Sequence, residues 1–269
     1  MKFKIQSLIV NSFVFLLGFL SLLAPFVVPQ ARDAGLSSTS FPVMVSLIII
    51  LCVLIILLET QSTILNTKLI AFLGILIALN AGLRFLETAI PGPAGFSPIF
   101  FLVIMTGYFF GGRLGFMMGA MTMLVSALIT GGVGPWLPGQ MITAGWVGQS
   151  AGLLNPVLKR LHIPGKPGEV IILAIFSAIW GLLYGAIMNL WFWPFLGAAP
   201  GQTWFQSATL AENIGRYATY YVATSVIWDV TRAIGNILIV TFFARPVLRI
   251  FTRFNQRFSF QVIPEGGQG

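Results

Sequence analysis

Eight apolar stretches, each about as long as a membrane is thick, dominate this sequence. A membrane-spanning helix needs roughly 20 predominantly apolar residues, and runs of this kind recur along the whole chain. Only 8% of the residues are charged, whereas about a quarter are charged in a soluble domain. The sequence therefore predicts an all-α integral membrane protein and excludes a water-soluble domain, a disordered chain and a disulfide scaffold. The predicted spans cover residues 7–28, 41–58, 69–85, 96–110, 114–130, 140–158, 170–192 and 218–243.

The basic residues indicate how these spans are oriented. The chain carries 15 Lys and Arg residues against 7 Asp and Glu residues, which gives a net charge of +8. If the first span starts in the cytoplasm, 11 of the 15 basic residues fall in cytoplasmic segments. Membrane proteins concentrate Lys and Arg in their cytoplasmic loops. The pattern therefore predicts a multi-pass protein of the cell membrane with both termini in the cytoplasm, and it explains the positive charge without a nucleic-acid partner.

The eight spans fall into two groups. The first two contain little glycine, whereas the region 71–152 is rich in glycine and other small residues. The first span is longer than the 7–15 apolar residues of a signal peptide, so we expect it to remain as a membrane helix. We predict two auxiliary transmembrane helices in residues 1–60, a six-helix core in 61–252 and a basic cytoplasmic tail in 253–269.

Motifs of known enzymes do not occur in this chain. The chain has one histidine, His162, which excludes most metal sites and catalytic triads. It has one cysteine, Cys52, which excludes a disulfide within the chain. The pair Gly165-Lys166 is followed by Pro167 rather than Ser or Thr, so it does not form the phosphate-binding loop of an ATPase. We expect a protein that is not an enzyme, binds no cofactor or metal and does not hydrolyse ATP itself.

Small residues recur at every fourth position in several spans. This spacing makes a flat helix face on which another backbone can approach closely. Tight packing inside the bundle is the expected role of most of these faces, and a docking face for another membrane subunit is the alternative. The sets are Gly74, Ala78 and Gly82; Gly111, Gly115 and Gly119; Gly148 and Gly152; and Gly181 and Gly185.

Three segments on the predicted outer side carry candidate ligand contacts. The segment 131–141 combines glycines and prolines with Trp136, and it is either a tight turn with an interfacial tryptophan or one wall of a ligand pocket. The segment 90–98 includes Phe96, and the long connection 194–213 ends at Asn213. The aromatic run 191–193 indicates an aromatic belt at the membrane surface rather than a ligand cage.

Charged residues inside the predicted spans are the most informative polar residues. Asp229 and Arg232 lie three positions apart on one face of the last span, with Asn236 further along that face. A single buried charge is costly in a membrane, so the two must face the bundle or a water-filled cavity. They form either a structural ion pair or a polar anchor for a ligand. Arg84 and Glu87 are predicted to form a similar pair at the outer end of the third span.

Arginines follow the last span at every fourth position. Arg245, Arg249, Arg253 and Arg257 therefore mark one face of a helix that leaves the membrane on the cytoplasmic side. Membrane lipids with anionic headgroups are the expected partners of such a face.

Five segments together resemble one known family. They are Ala-Leu-Asn-Ala-Gly-Leu-Arg at 78–84, Gly-Phe-Ser-Pro at 95–98, Phe-Phe-Gly-Gly-Arg-Leu-Gly at 109–115, Gly-Pro-Trp-Leu-Pro at 134–138 followed by Gln140 and Met141, and Trp-Asp-Val-Thr-Arg at 228–232. With these segments the core resembles the substrate-specific (S) components of energy-coupling factor (ECF) transporters, which take up vitamins in prokaryotes. The resemblance implies a six-helix S-component-like core. The two extra transmembrane helices that precede it here, which make eight spans in all, depart from the family's six-helix pattern.

The resemblance also implies a mechanism and partners. An S component binds a vitamin with high affinity in an outer pocket, docks on a transmembrane coupling (T) subunit bound to two ATPase subunits, and topples to release the vitamin inside. This chain would then be the substrate-binding membrane subunit of an ECF-type ABC importer in a prokaryotic cell membrane. Ala71, Gly74 and Ala78 match the family's pattern of small docking residues, although Gly74 stands where the strict pattern has alanine.

The substrate is the least determined part of the prediction. Within the family, the Gly-Pro-Trp segment and the Asp and Arg of the last span are most similar to members that bind cobalamin or another corrinoid. Riboflavin or another vitamin, and a secondary permease that works alone, remain as alternatives; a membrane enzyme or a purely structural protein is disfavoured. The expected substrate-binding residues are Arg84, Phe96, Trp136, Gln140, Met141, Asn189, Trp193, Asn213, Asp229 and Arg232.

Overall fold

The fold is all-helical in the part of the chain that the structure describes. The computed structural model describes residues 16, 18–20, 47, 50–51, 54, 67–89, 96–134, 136–195, 199–205 and 207–258. Within these ranges seven α-helices follow one another, and no β-strand occurs. The helices are α1 (Thr67–Ala89), α2 (Ile99–Phe110), α3 (Gly112–Thr130), α4 (Leu137–Arg160), α5 (Pro167–Phe192), α6 (Leu210–Thr224) and α7 (Val226–Phe258), with a short 3-10 turn at Trp193–Phe195 after α5.

The helix ends form two opposite ends of the bundle, because short connections join successive helices. The basic end contains the turns from α2 to α3 and from α4 to α5 together with the last part of α7, and it carries most of the arginines and lysines. The loop end contains the segment 131–136 and the connection from α5 to α6. In the part of the chain that the structure describes, four helices contain stretches long and apolar enough to cross a membrane, namely α1, α3, α5 and α7.

Helix α2 is shorter than the span predicted at 96–110. Its 12 residues extend over about 18 Å, well below the roughly 30 Å of a bilayer's hydrocarbon core. Every side chain from Ile99 to Tyr108 is buried. The apolar run therefore reflects enclosure by other helices rather than contact with lipid across a whole membrane.

The last predicted span, 218–243, is divided into two helices at Ser225. This residue has φ −135° and ψ −24°, outside helical values, and the hydroxyl of Thr224 donates to the carbonyl of Tyr220. Such local bonds from Ser and Thr compete with a regular helix. Helix α7 then continues for 33 residues, about 50 Å, and so passes the predicted core boundary at residue 252.

Glycines close the interface between α3 and α4. A Cβ atom on Gly115 would collide with the carbonyl of Gly148, and one on Gly152 would collide with the backbone of Gly112. Gly107 of α2 also lies against the carbonyl of Gly148. The three helices therefore touch through their backbones, which places these small residues inside the bundle as expected.

Aromatic rings join α7 to the rest of the bundle near the basic end. Phe251 is buried, and its ring centroid lies 5.1 Å from that of Phe110 in α2 and 5.7 Å from that of Phe72 in α1. Phe254 stacks on Phe72 at 3.9 Å. These contacts hold the segment that carries the arginines close to the bundle.

The first two predicted spans lie almost entirely outside the described residues, as does the segment 90–95. One described glycine of the first span, Gly18, is buried against Ile142 and Trp146 of α4. The division into residues 1–60, 61–252 and 253–269 stays a prediction.

Candidate functional site

Charged, phenolic and hydroxyl side chains from four helices and from the residues just before α2 form a cluster toward the loop end. We call it the polar cluster. It joins α1, the start of α2, α5, α6 and the first turns of α7 through hydrogen bonds and ring contacts. Its members are Arg84, Glu87, Ser97, Tyr184, Tyr221, Asp229 and Arg232.

Asp229 is the most deeply buried charge of the polar cluster, with 2% of its surface exposed. Its carboxylate accepts a hydrogen bond from the guanidinium of Arg232 and another from the Tyr221 hydroxyl at 2.7 Å. Gly185 of α5 leaves the space for this carboxylate, because a Cβ atom there would collide with it. The buried charge is thus paired and hydrogen-bonded, as a buried charge must be to avoid a large desolvation penalty.

Arg232 is held on several sides at once. Besides Asp229, it donates to the carbonyl of Gly181 at 3.3 Å, and its guanidinium lies 5.8 Å from the centroid of the Tyr184 ring. A cation at this distance over a ring is attracted by the ring's negative face. The side chain keeps 17% exposure. Asp229 and Arg232 thus form the ion pair that their spacing predicted, and a small part of the guanidinium stays accessible.

Arg84 and Glu87 do not form the predicted ion pair. Glu87 accepts a hydrogen bond from the Ser97 hydroxyl at 2.8 Å, and Arg84 donates to the thioether sulfur of Met123. Partners from the neighbouring helices thus replace the contact that the spacing predicted. A thioether is a weak acceptor, and no described carboxylate lies within ion-pair distance of Arg84.

Met123 and Tyr184 connect Arg84 to Arg232. The Met123 sulfur lies 4.0 Å from the Tyr184 hydroxyl as well as next to Arg84, and the ring of Tyr184 lies below Arg232. The ring of Phe100 packs edge-on against Tyr184 at 4.7 Å. The two guanidinium groups are therefore separated by one tyrosine ring in an aromatic setting.

Two buried amides lie deeper in the bundle. Asn80 donates to the carbonyl of Ile99 at 3.0 Å and to the hydroxyl of Thr122 at 3.2 Å, and Asn236 donates to the carbonyl of Ser177 at 3.0 Å. The side-chain oxygens of both asparagines are buried without a hydrogen-bond partner. Each amide thus joins neighbouring helices and retains one free acceptor.

The predicted contacts Asn213 and Trp193 stabilise the connection from α5 to α6. Asn213 is buried; it donates to the carbonyl of Phe205 at 2.9 Å and accepts from its backbone N–H at 3.1 Å. The indole N–H of Trp193 donates to the carbonyl of Gln202 at 2.6 Å. Trp191 and Trp193 are both buried, so the interpretation of these tryptophans as a lipid-facing belt is wrong.

The same connection leads to the polar cluster through tyrosines. The ring of Trp193 lies 5.3 Å from that of Tyr217, which stacks on Tyr221 at 6.1 Å, and Tyr221 donates to Asp229.

Helix α6 begins with a capping box at Thr209. Hydrogen bonds from the backbone N–H and then the hydroxyl of Thr209 hold the pKa of Glu212 below its usual value.

The remaining predicted residues lie around the loop end. Trp136 is 38% exposed, and its indole N–H donates to the carbonyl of Gly132 at 3.1 Å while its ring covers Gly134. Its described contacts are thus within its own loop. Met141 is buried in the core, Gln140 and Asn189 are half-buried near the ends of α4 and α5, and the ring of Phe96 covers Gly235 of α7.

The predicted docking residues form an outward face. Ala71, Gly74 and Ala78 are exposed on α1, and among the described residues no atom of another helix lies within 4 Å of a Cβ position on Gly74 or Gly82. We call this face the α1 stripe.

The polar cluster therefore brings together Arg84, Asp229 and Arg232 of the predicted binding residues. Ser97, Tyr184 and Tyr221 were not among the predicted binding residues. Ser97 lies in the Gly-Phe-Ser-Pro segment at 95–98, and no charge or spacing pattern marks the two tyrosines. Among the described residues, no group of three or more His, Cys, Asp or Glu side chains is placed to hold a metal ion.

A family model gives an independent comparison. The model described as "ECF transporter, substrate-specific component" matches residues 68–243, about two thirds of the chain. The match begins at the start of α1 and includes the whole polar cluster. No curated protein and no solved structure matches the chain.

Proposed function

The chain belongs to the family of substrate-specific components of ECF transporters, membrane subunits that bind a vitamin or related micronutrient, and we propose that its substrate is a corrinoid, bound with high affinity at the polar cluster. Membership makes the protein a transport component rather than an enzyme. The finer assignment rests on the site. Arg84 carries the argument, because it is a half-buried cation whose described side-chain partner is a weak one.

A guanidinium in this position favours a ligand with oxygen acceptors. Charge-assisted hydrogen bonds are stronger than neutral ones. A ligand carbonyl or carboxylate that replaced the Met123 sulfur would therefore form a stronger hydrogen bond with Arg84. The buried rings of Phe100 and Tyr184 pack against each other next to Met123 and make the surroundings of Arg84 apolar. A corrinoid combines a large apolar ring with amide oxygens at its edge. This chemistry supports the preference drawn from the Gly-Pro-Trp segment and from Asp229 and Arg232.

We place the loop end outside the cell and the basic end in the cytoplasm. The Lys and Arg residues at the basic end support this orientation, which puts both termini inside. In this arrangement α1 to α5 and α7 make the six-helix core, α6 is a short helix packed at the loop end, and residues 1–60 contribute two auxiliary spans.

The expected partners are a T subunit and two ATPase subunits. The α1 stripe is the proposed docking face for the T subunit, since Ala71, Gly74 and Ala78 are exposed and would let a partner backbone approach closely. ATP hydrolysis would take place in the ATPase subunits, and this chain would supply specificity.

The first experiment identifies the substrate directly. The full chain is purified alone in detergent from cells grown in rich medium and denatured, and the released small molecules are analysed by absorbance and mass spectrometry. We expect about one corrinoid per chain. A flavin or another vitamin would replace the corrinoid assignment and keep the transporter role. Uptake that persists without a T subunit would instead support a secondary permease.

A pair of variants then tests the site. Arg84→Gln should weaken corrinoid binding by about 10-fold to 100-fold, since a hydrogen bond to a charged group contributes about 1.5–3 kcal/mol. The control is Arg216→Gln on α6, where the guanidinium lies over the Phe205 ring away from the polar cluster. Isothermal titration calorimetry on both proteins gives the affinities. Equal affinities for the two variants would contradict the proposed role of Arg84.

A further inference from the structure

A cavity at the basic end is lined by more cationic than acidic side chains. It has a volume of about 660 Å³ and lies between the end of α4, the start of α5 and the last part of α7. Its size falls within the range of about 300–1,000 Å³ that is typical of small-molecule sites. It lies at the end of the molecule opposite the polar cluster, so the proposed substrate does not account for it.

Four cationic side chains line this cavity. Lys159 comes from α4, and Arg245, Arg249 and Arg253 come from successive turns of α7. Among the described residues, the lining contains one acidic residue, Glu169. No described carboxylate lies within ion-pair distance of any of the four cations. The lining thus has an excess of positive charge that the described part of the chain does not neutralise.

The one carboxylate of the lining is already engaged in the cavity wall. Glu169 is buried; it accepts a hydrogen bond from the Tyr108 hydroxyl at 2.6 Å and another from the backbone N–H of Gly165 at 2.8 Å. The side chain of Asn155 in turn donates to the carbonyl of Tyr108 at 2.7 Å. These bonds fix the wall and hold both carboxylate oxygens. The cations of the lining remain available for an anion that enters from outside.

We propose that this cavity binds the phosphate-bearing headgroup of an anionic lipid. Phosphate accepts several charge-assisted hydrogen bonds at once, which suits converging Arg and Lys side chains. The apolar surroundings favour a lipid over a soluble phosphate compound. Phe242 lies one turn before Arg245, Ile250 directly follows Arg249, and Val157 lies two residues before Lys159; all three are exposed apolar side chains.

The position of the arginines along α7 also supports a lipid headgroup as the ligand. The charge-free stretch of α7 runs from Ala233 to Ala244 and ends where the arginines begin. These arginines are therefore placed near the depth of lipid headgroups when that stretch lies in hydrocarbon. The sequence predicts a general attraction of this face to anionic lipids. The cavity adds a distinct binding site, with Lys159 and the Glu169–Tyr108 wall opposite the arginines.

The test compares two arginine substitutions on the same helix. The full chain is purified in mild detergent, and native mass spectrometry measures binding of added phosphatidylglycerol. We expect one tightly held phosphatidylglycerol per chain, and its affinity should fall by at least about 10-fold in the double variant Arg249→Gln/Arg253→Gln. The matched control is Arg257→Gln, which removes the next arginine of the same face but does not line the cavity.

Three further measurements decide between the alternatives. Circular dichroism during heating should give the double variant and the control the same melting temperature, so that a loss of lipid is not a loss of fold. Phosphatidylcholine should bind far more weakly than phosphatidylglycerol. Inorganic phosphate and glycerol 3-phosphate should not displace the lipid at millimolar concentration; displacement would overturn the lipid assignment in favour of a soluble anion. An equal loss of lipid in Arg257→Gln would overturn the cavity as the site, and because no vitamin is involved this result leaves the corrinoid proposal untouched.

Discussion

Two sets of small residues with the same spacing have opposite surroundings. Gly115 and Gly148 bring two backbones into contact at the interface between α3 and α4, which we call the seam. On the α1 stripe, no atom of the described residues outside the stripe's own helix lies within 4 Å of a Cβ position on Gly74 or Gly82. The spacing of four residues flattens a helix face in both cases. Whether that face is filled from inside the chain is decided by helices far away in sequence.

Because of this difference, we expect the two sets to contribute to different properties of the protein. A side chain added in the seam must push two backbones apart, and backbone atoms cannot move aside as a flexible side chain can. A side chain added on the α1 stripe meets no described residue of another helix. It even improves helix propensity, because glycine is the poorest helix former apart from proline. The seam should therefore determine folding, and the stripe should affect only contacts with another molecule.

The largest expected effect follows from filling the seam. Gly148→Leu should destabilise the folded chain by about 3 kcal/mol or more through overpacking against the backbone of Gly115. Recovery of monodisperse protein by size-exclusion chromatography and thermal melting in detergent would measure this loss. Gly74→Leu introduces the same side chain on the α1 stripe and serves as the control. A Gly148→Leu protein as stable as the control would mean that α3 and α4 are not in backbone contact.

The next effect concerns transport rather than folding. Gly74→Leu should abolish uptake in the presence of the T subunit and the ATPases while leaving substrate binding unchanged, because the leucine blocks the approach of a partner helix. Uptake of labelled substrate by cells and binding to the isolated chain are the two measurements.

The control for this variant is a bulky residue on another open helix face. Gly215 of α6 is exposed and has no atom within 4 Å of its Cβ position. Gly215→Leu should leave both uptake and binding intact. If Gly74→Leu loses binding together with uptake, the stripe is part of the chain's own packing and the contrast with the seam disappears.

A third substitution tests the contact between α5 and α7, where a side chain rather than a backbone faces the glycine. A Cβ on Gly185 would meet the Asp229 carboxylate, which can shift more easily than a backbone can. Gly185→Ala should therefore cost less than Gly148→Leu, about 1–2 kcal/mol, and it should weaken substrate binding by displacing Asp229 from Tyr221. Chemical denaturation and calorimetry give both values. The matched variant Gly181→Ala places the same methyl group against the backbone of Ala233, one turn earlier in α5; it should cost at least as much stability.

Much of the architecture could be predicted from hydropathy, and the exceptions have a common cause. The apolar runs of α1, α3, α5 and α7 contain helices long enough to cross a membrane. The run that forms α2 is more apolar than any of these four helices, but other helices enclose it from Ile99 to Tyr108. Hydropathy measures exclusion from water and does not distinguish lipid from protein. The interruption at Ser225 escaped notice because the apolar pattern continues on both sides of it.

The polar cluster shows the same limit at the level of single residues. The pairing of Asp229 with Arg232 could be predicted because both lie on one helix face. The same rule failed for Arg84 and Glu87, where Met123 and Ser97 from other helices take over. Contacts within a helix follow from spacing, whereas contacts between helices depend on the packing of the whole bundle.

The smallest expected effect lies in the loop that carries Trp136. This side chain resembles the α1 stripe in one respect, since its described contacts require nothing from the rest of the bundle: its indole N–H donates to Gly132 and its ring covers Gly134. Trp136→Ala should therefore leave thermal stability nearly unchanged, within about 0.5 kcal/mol for an exposed position. Substrate binding should weaken about fivefold if the ring forms part of the outer wall of the site. Trp228→Ala on α7 removes another half-exposed tryptophan and should leave affinity unchanged in the same titration. Equal affinity in the two variants and the unaltered protein would remove the loop from the binding site and leave the polar cluster to account for substrate recognition.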